Sequence, residues 1–458
     1  MPGCAPRNLT ENRGGRVPGG TPAVAALTRC RTSWHLRARA LVTLVLHYRR
    51  TSRHALNVLA GAVEVHPASR GVEIRVAEGP AEVARRCTAA AATGRRAVVA
   101  WSFCTASAGE VAAELAAVRR EVRDGRALHV AGGPHPSGDP AGTLRAGFDL
   151  AAVGEGEETL PRLLGAVATG SDPRAVPGLA WLDGGALRTG GRALPADLDA
   201  FPPCAPGAAR IGPVEISRGC AWGCRFCQTP FLFRARWRHR SLDSVRRWIG
   251  WFAEVRARDV RFLTPSALSY GASGGEANLD AVEALLATAR QALAPGMRMF
   301  LGTFPSELRP EHVSPRALAL LRRHCDNRAV LIGGQSGSDR MLAAMARGHD
   351  AEAVLRAARL AVEAGFSASV DLVFGLPGEE EDDREASRRL AKALAASGAV
   401  VHAHAFMPLP GTPWARAPAG RIDGETRRLL ERLGSVGLAQ GQWRRQEAIA
   451  ARACPGPK

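Results

Sequence analysis

The sequence predicts two α/β units in series: a doubly wound, Rossmann-like domain, then a partial (β/α)6 barrel of TIM type. Three observations carry the prediction. From about residue 40, short apolar runs alternate with stretches of helical spacing, the pattern of parallel strands covered by helices. Strand ends in the first unit run into glycines, which let a backbone approach a ligand at the carboxyl edge of a sheet. After a Pro-rich connector the alternation resumes for six further strand–helix repeats, which suits a barrel.

In the first unit LVTLVLH (41–47), GVEIRV (71–76), RAVVAWSF (96–103), ALHVAGG (127–133) and FDLAAVGEG (148–156) read as strands. SRHALNVLAGAVE (52–64), AEVARRCTAAAAT (81–93) and GEVAAELAAVRREV (109–122) read as helices between them. No G-x-G-x-x-G follows the first strand, which argues against a nicotinamide site. The connector contains VPGLAWLDGGALRTGG, with the look of a small hairpin. Barrel strands are expected at 213–217, 259–264, 298–303, 329–334, 367–375 and 400–408. Helices are expected at 241–257, 276–293, 315–324, 351–365 and 381–397, and one more at 423–434 before a polar end. The expected division is a tail at 1–39, the Rossmann-like domain at 40–170, a linker with the hairpin at 171–212, the barrel at 213–410 and a helical extension at 411–458.

The 458 residues are 46% hydrophobic and 23% charged, an ordinary balance for a cored protein, and no apolar run reaches membrane-spanning length. A cytoplasmic location is expected, so cysteines read as metal ligands or buried thiols rather than disulfides. The net charge of +18 invites a nucleic-acid reading, but only Lys392 and Lys458 are lysines, a bias that looks like GC-rich coding. Half of the excess lies in residues 1–53, with ten Arg against Glu11 alone, and the Pro/Gly-rich start reads as a disordered basic tail.

Three of the ten cysteines fall within CAWGCRFC, at Cys220, Cys224 and Cys227, directly after the first barrel strand. A disulfide would leave one thiol over. A structural zinc site wants four ligands, and His239 would close an unusual twelve-residue loop. A metal cluster can take three protein ligands and keep one position open. Gly219 and Gly223 would let such a loop wrap its metal. The basic run FLFRARWRHRS (231–241) just beyond reads as a loop covering that site, with Arg shielding its charge, in preference to a nucleic-acid surface. His402 and His404 alternate on the last barrel strand and so share a face, either as substrate acid/base groups or as a buried hydrogen-bonded pair.

C-x3-C-x2-C in this position, with Phe226 before the last cysteine, resembles the signature of the radical S-adenosylmethionine superfamily. The resemblance implies a 4Fe-4S cluster on Cys220, Cys224 and Cys227, whose open iron takes S-adenosylmethionine and cleaves it to a 5′-deoxyadenosyl radical. It places Phe226, Ser306, Glu307, Gln335, Ser336, Ser338 and Gly375 near S-adenosylmethionine. Ser338-Asp339 equally reads as a helix start. The first unit, above all GGPHPSGDPAGTLRAGFDLAAVGEGEETLPRLL (132–164), resembles the cobalamin-binding domain of cobalamin-dependent radical enzymes. Ser102, Gly132, Gly133, Pro134, His135, Gly154, Glu155 and Gly156 then become expected cobalamin contacts. The D-x-H-x-x-G that supplies a histidine to cobalt is absent, because LHYRRTSRHALN (46–57) has His47 and His54 without the Asp or Gly in register.

The resemblance implies methyl transfer to an unactivated carbon of a small-molecule or peptide substrate, with a flavodoxin- or ferredoxin-type electron donor. Alternatives are a radical rearrangement or cyclisation, or a methylthiotransferase-like tRNA modification suggested by QSGSDRMLAAMARGH. Against the last stand isolated Cys87 and Cys104, where such enzymes carry a second cluster, and a C-terminal segment too short for their RNA-binding barrel. A membrane or nucleic-acid partner is not expected.

Overall fold

In the computed structural model the described residues are 41–453, apart from 123, 124, 126 and 235; the expected basic tail lies outside them. The first sheet contains β1 (Val42–His47), β2 (Glu73–Ala77), β3 (Arg96–Ser102), β4 (Ala127–Gly132), β5 (Leu150–Ala152), β6 (Leu179–Asp183) and β7 (Ala186–Thr189). Their order is β2-β1-β3-β4-β5-β6-β7. The first five are parallel; β6 and β7 join antiparallel. The hairpin expected in the connector is therefore the edge of this sheet. β1 and β3 are buried along nearly their whole length because helices cover both faces, which is why they read as continuous apolar runs. Strand order reverses between β1 and β3, which opens a crevice at their carboxyl ends.

The second sheet begins with a broken strand, β8 (Val214–Glu215) and β9 (Ser217–Arg218). β10 (Arg238–His239) returns antiparallel to β9. The barrel continues through β11 (Asp259–Leu263), β12 (Arg298–Phe300), β13 (Ala329–Gln335), β14 (Ser367–Phe374) and β15 (Val400–Ala405). Parallel pairing runs β8-β11-β12 and β13-β14-β15. The seam between the two groups is closed by parallel bridges at Thr264–Ser306 and Leu308–Ile332. A short seventh strand, β16 (Ala439–Gln440), pairs with β15, and the helix Trp443–Ala453 follows it. This pair was not legible in the polar end of the sequence, and it extends the barrel beyond six repeats.

Alternation along β14 separates two surfaces. Ala368, Val370, Leu372 and Phe374 are buried against the helices, while Asp371 and Val373 face the barrel interior half-buried. His402 and His404 do the same on β15.

Candidate functional site

A cavity of about 400 Å³ lies at the β1/β3 crevice. Seven of the eight expected cobalamin contacts line it: Ser102, Gly132, Gly133, Pro134, Gly154, Glu155 and Gly156. The eighth, His135, does not; its Nδ1 pairs with the Thr105 hydroxyl at 3.2 Å and its ring packs on Phe103. Gly133 is required by its backbone: φ is +99°, and a Cβ would sit 2.9 Å from the Phe103 carbonyl oxygen. The barrel closes the far side with Glu215, Arg218, Phe233 and Leu263, so the cavity lies between the two sheets. Most of its lining is apolar, and its volume falls in the range of small-ligand pockets. His54 lines this cavity, its Nδ1 buried without a partner. Burial holds the His54 imidazole below its ordinary range. His47 is elsewhere, tilted against Trp101 with ring centroids 4.1 Å apart and paired with Glu114 at 2.8 Å; burial, then Arg49, pushes it down to about 4.

Under the cavity runs an ion network that sequence reasoning missed. Arg218 donates to Glu155 (2.7 Å), Glu157 (2.5 Å) and both oxygens of Glu215 (2.9 and 2.6 Å). Arg238 forks onto Glu155 at 2.5 and 2.8 Å. Burial alone would lower Arg218; Glu157 and Glu215 outweigh this and hold it well above the usual range. Glu155 and Glu157 come from the first domain, and Arg218 sits two residues before Cys220. The network therefore ties the cavity wall to the root of the cysteine loop.

That loop turns at Gly219, where φ is +86° and a Cβ would fall 1.7 Å from the Arg236 carbonyl oxygen. Gly223 has no such need, since open space surrounds it. Trp222 anchors the loop. Its ring fills the space beside Gly275 and Gly348 and lies under the Arg309 guanidinium at 3.7 Å. Cys224 is buried, with Arg347 Nη1 3.7 Å from its sulfur. Burial pushes the Cys220 thiol up to about 11 and raises Cys227, with neighbouring thiols adding to the shift. Three soft sulfur donors on one loop, with the Arg347 guanidinium 3.7 Å from Cys224 and Arg309 close by, fit an anionic iron–sulfur cluster.

Of the residues expected near S-adenosylmethionine, Glu307 and Gln335 reach the barrel interior. Glu307 pairs with Arg347 at 3.3 Å, and burial raises its carboxyl. Gln335 is buried at φ +70°, an unusual conformation that recurs at functional sites. The serines hold the framework. Ser306 bridges Gly302 N–H and the Thr303 carbonyl, each at 3.0 Å. Ser336 accepts from Ser338 N–H, and Ser338 caps the helix Asp339–Ala344 and donates to Asp383 at 2.5 Å. Phe226 packs against the Met341–Met345 and Phe406 cluster. Gly375, at φ +73°, passes so close to Arg421 that a Cβ would lie 2.6 Å from its amide nitrogen.

The radical SAM superfamily model matches residues 214–391, and the B12-binding domain model matches residues 47–164. The chain therefore carries a B12-binding domain ahead of a radical SAM domain. The cofactors of these domain types are a 4Fe-4S cluster, S-adenosylmethionine and cobalamin. A tRNA-2-methylthio-N(6)-dimethylallyladenosine synthase from Pelobacter propionicus is 30% identical over 245 residues, 52% of this chain and 53% of that one. An uncharacterised protein from Methanopyrus kandleri is 26% identical over 348 residues, 64% of this chain and 63% of its own. The chain spans about half the length of the first of these curated relatives. In fold, it is similar to the radical S-adenosylmethionine methyltransferase TsrM from Kitasatospora setae, with cobalamin and a 4Fe-4S cluster bound. There the TM-score is 0.61 at 18% identity, over 82% of this chain and 74% of that one. It is also similar to the cobalamin-dependent radical enzyme OxsB with aqua-cobalamin bound, at a TM-score of 0.60 and 14% identity, over 77% of this chain and 52% of that one. No helix among the described residues is long and apolar enough to cross a membrane.

Proposed function

We propose that this chain is a cobalamin-dependent radical S-adenosylmethionine methyltransferase acting on carbon. The observation that carries the reading is the placement of seven expected cobalamin contacts around one cavity, joined by Arg218 to the cysteine loop. Cys220, Cys224 and Cys227 would hold the cluster, and the glycine-edged cavity would hold cobalamin. When bound, the cluster supplies an electron that cleaves S-adenosylmethionine, and cobalamin carries the methyl group. This chain's residues position and shield. Trp222 and Phe226 cover the loop with apolar surface, Arg309 and Arg347 balance thiolate charge, and Glu307 offers an acceptor in the barrel interior. A small-molecule or peptide substrate, a flavodoxin-type reductant and a cytoplasmic location belong to the same reading.

The tRNA-modification reading draws on the Pelobacter propionicus relative. It is the weaker one, because Cys87 is buried, with burial pushing its thiol up to about 11, and Cys104 is exposed. The test is to supply the reconstituted protein with methyl-labelled S-adenosylmethionine, a reductant and pools of small molecules, peptides and tRNA. Label in a small molecule or peptide, with S-adenosylhomocysteine and 5′-deoxyadenosine formed together, is expected. Label entering tRNA together with sulfur would overturn the reading.

A further inference from the structure

The barrel interior holds a polar group that cofactor binding does not use. His402 Nδ1 lies 2.7 Å from Asp371 Oδ1, and His404 Nε2 lies 3.5 Å from the same oxygen. Gln446, from the C-terminal helix Trp443–Ala453, places its side-chain nitrogen 3.1 Å from His404 Nδ1.

Proton bookkeeping assigns every hydrogen. The Ala405 backbone N–H donates to Gln446 Oε1 at 3.0 Å, which fixes the amide with its NH₂ toward His404. His404 Nδ1 must then accept. The neutral ring carries its proton on Nε2 and directs it at Asp371. His402 takes the opposite tautomer, with Nδ1–H donated to Asp371 and Nε2 left bare. Among the described residues no hydrogen bond engages that Nε2, and the side chain remains 31% exposed in the lumen. The two imidazole hydrogen bonds hold the Asp371 carboxyl below its ordinary range against burial, which acts in the opposite sense.

A cation bound by all three residues is a competing use of the same atoms, since they lie within 4.8 Å of one another. The tautomer argues against it. His404 could ligate through Nε2 only by losing the proton that Gln446 forces onto that nitrogen.

We infer that His402 Nε2 is a proton acceptor for the substrate in the barrel, with Asp371 orienting it and His404 and Gln446 as positioning residues. This rests on the barrel interior being the reaction chamber. The substrate class it suits is one with an acidic N–H, O–H or activated C–H. The proton passes to Nε2, the bonding pair stays on the substrate atom, and the imidazolium is balanced by Asp371. The charged groups acting on Glu307 beside this pair are Asp371, Arg347 and Arg309, and the Gln440 side-chain nitrogen lies 3.4 Å from Ser369 Oγ on the neighbouring strands.

The test is ¹⁵N NMR of the full chain labelled at histidine, with the two rings assigned by His402→Gln and His404→Gln. Opposite tautomers are expected, Nδ1–H for His402 and Nε2–H for His404. Asp371→Asn should release the His402 tautomer, because an amide in place of the carboxylate no longer fixes the proton on Nδ1. Gln446→Leu should release the His404 tautomer and leave that of His402 in place. Equimolar Zn²⁺ should not move either ring. An Nε2–H tautomer at His402, or both rings shifting with Zn²⁺, would overturn the assignment. Loading with iron or cobalamin does not enter this readout, so a failed cofactor assay with these tautomers present would refute the methyltransferase reading and not the proton acceptor.

Discussion

Replacing Arg218 by Met would remove the charge between two packed domains while keeping most of the side chain's volume. Glu155 retains Arg238, but Glu157 and Glu215, at 2.5 and 2.6 Å from the lost guanidinium, keep no comparable cation. Orphaning a buried carboxylate costs about 3–5 kcal/mol. A second route bounds the figure. A carboxyl can escape by taking a proton, which at pH 7 costs about 1.4 kcal/mol for each of roughly 2.7 pH units, or about 3.7 kcal/mol. One proton shared between Glu157 and Glu215 would relieve both, so a loss of about 4 kcal/mol is expected at pH 7. The variant's folded state then binds a proton that its unfolded chain lacks. Its deficit must shrink as pH falls, by about 2.7 kcal/mol between pH 7 and pH 5. Urea denaturation of the full chain, followed by tryptophan fluorescence at both pH values, measures this. The triple variant Arg218→Met/Glu157→Gln/Glu215→Gln should recover most of the loss at pH 7. An equal loss at pH 7 and pH 5, or no loss, would refute the claim that the network is a buried charge lock.

Other expectations follow from single positions. Gly219→Ala must push a Cβ past the Arg236 carbonyl at positive φ, so it should lose iron on reconstitution, whereas Gly223→Ala, in open space, should retain it. Gly132→Leu keeps an ordinary 3.7 Å contact between its Cβ and Ala152 but fills the cavity; cobalamin affinity measured by equilibrium dialysis should fall at least about tenfold with iron content unchanged. Burial lifts Glu379 from 4.5 to about 7, against the Gly375 N–H that favours its charged form. A carboxyl raised on folding favours the folded state below pH 4.5 and loses that contribution as pH rises through about 7. Glu379→Gln should therefore match the wild type near pH 4 and exceed it by up to about 3 kcal/mol at pH 8 in chemical denaturation.

Most strands were legible because their apolar runs are compact and their ends carry glycines. Val42–His47, Arg96–Ser102 and Ser367–Phe374 stand within a residue or so of the expected runs. The strand expected at 213–217 breaks into β8 and β9, a local change that periodicity does not encode. β16 is two residues long and its helix is rich in Arg, so neither carries an apolar signal; yet that helix delivers Gln446 to His404. The cysteine spacing was legible in sequence because all three lie on one loop. Arg218, Glu155, Glu157 and Glu215 were not legible as one unit, because two of the partners lie some 60 residues away and single charges are ordinarily solvated. Ser306, Ser336 and Ser338 show the reverse: a polar residue at a strand end is as readily claimed by backbone hydrogen bonds as by a ligand.

The central claim is that one chain holds both an iron–sulfur cluster on the cysteine loop and cobalamin in the cavity beside it. The most direct test is anaerobic reconstitution with iron, sulfide and hydroxocobalamin, followed by metal analysis and visible spectra. About four iron and one cobalt per chain are expected. A Cys220/Cys224/Cys227→Ala triple variant should lose the iron and keep the cobalamin. Zinc in place of iron, or iron with no cobalamin bound, would contradict the account.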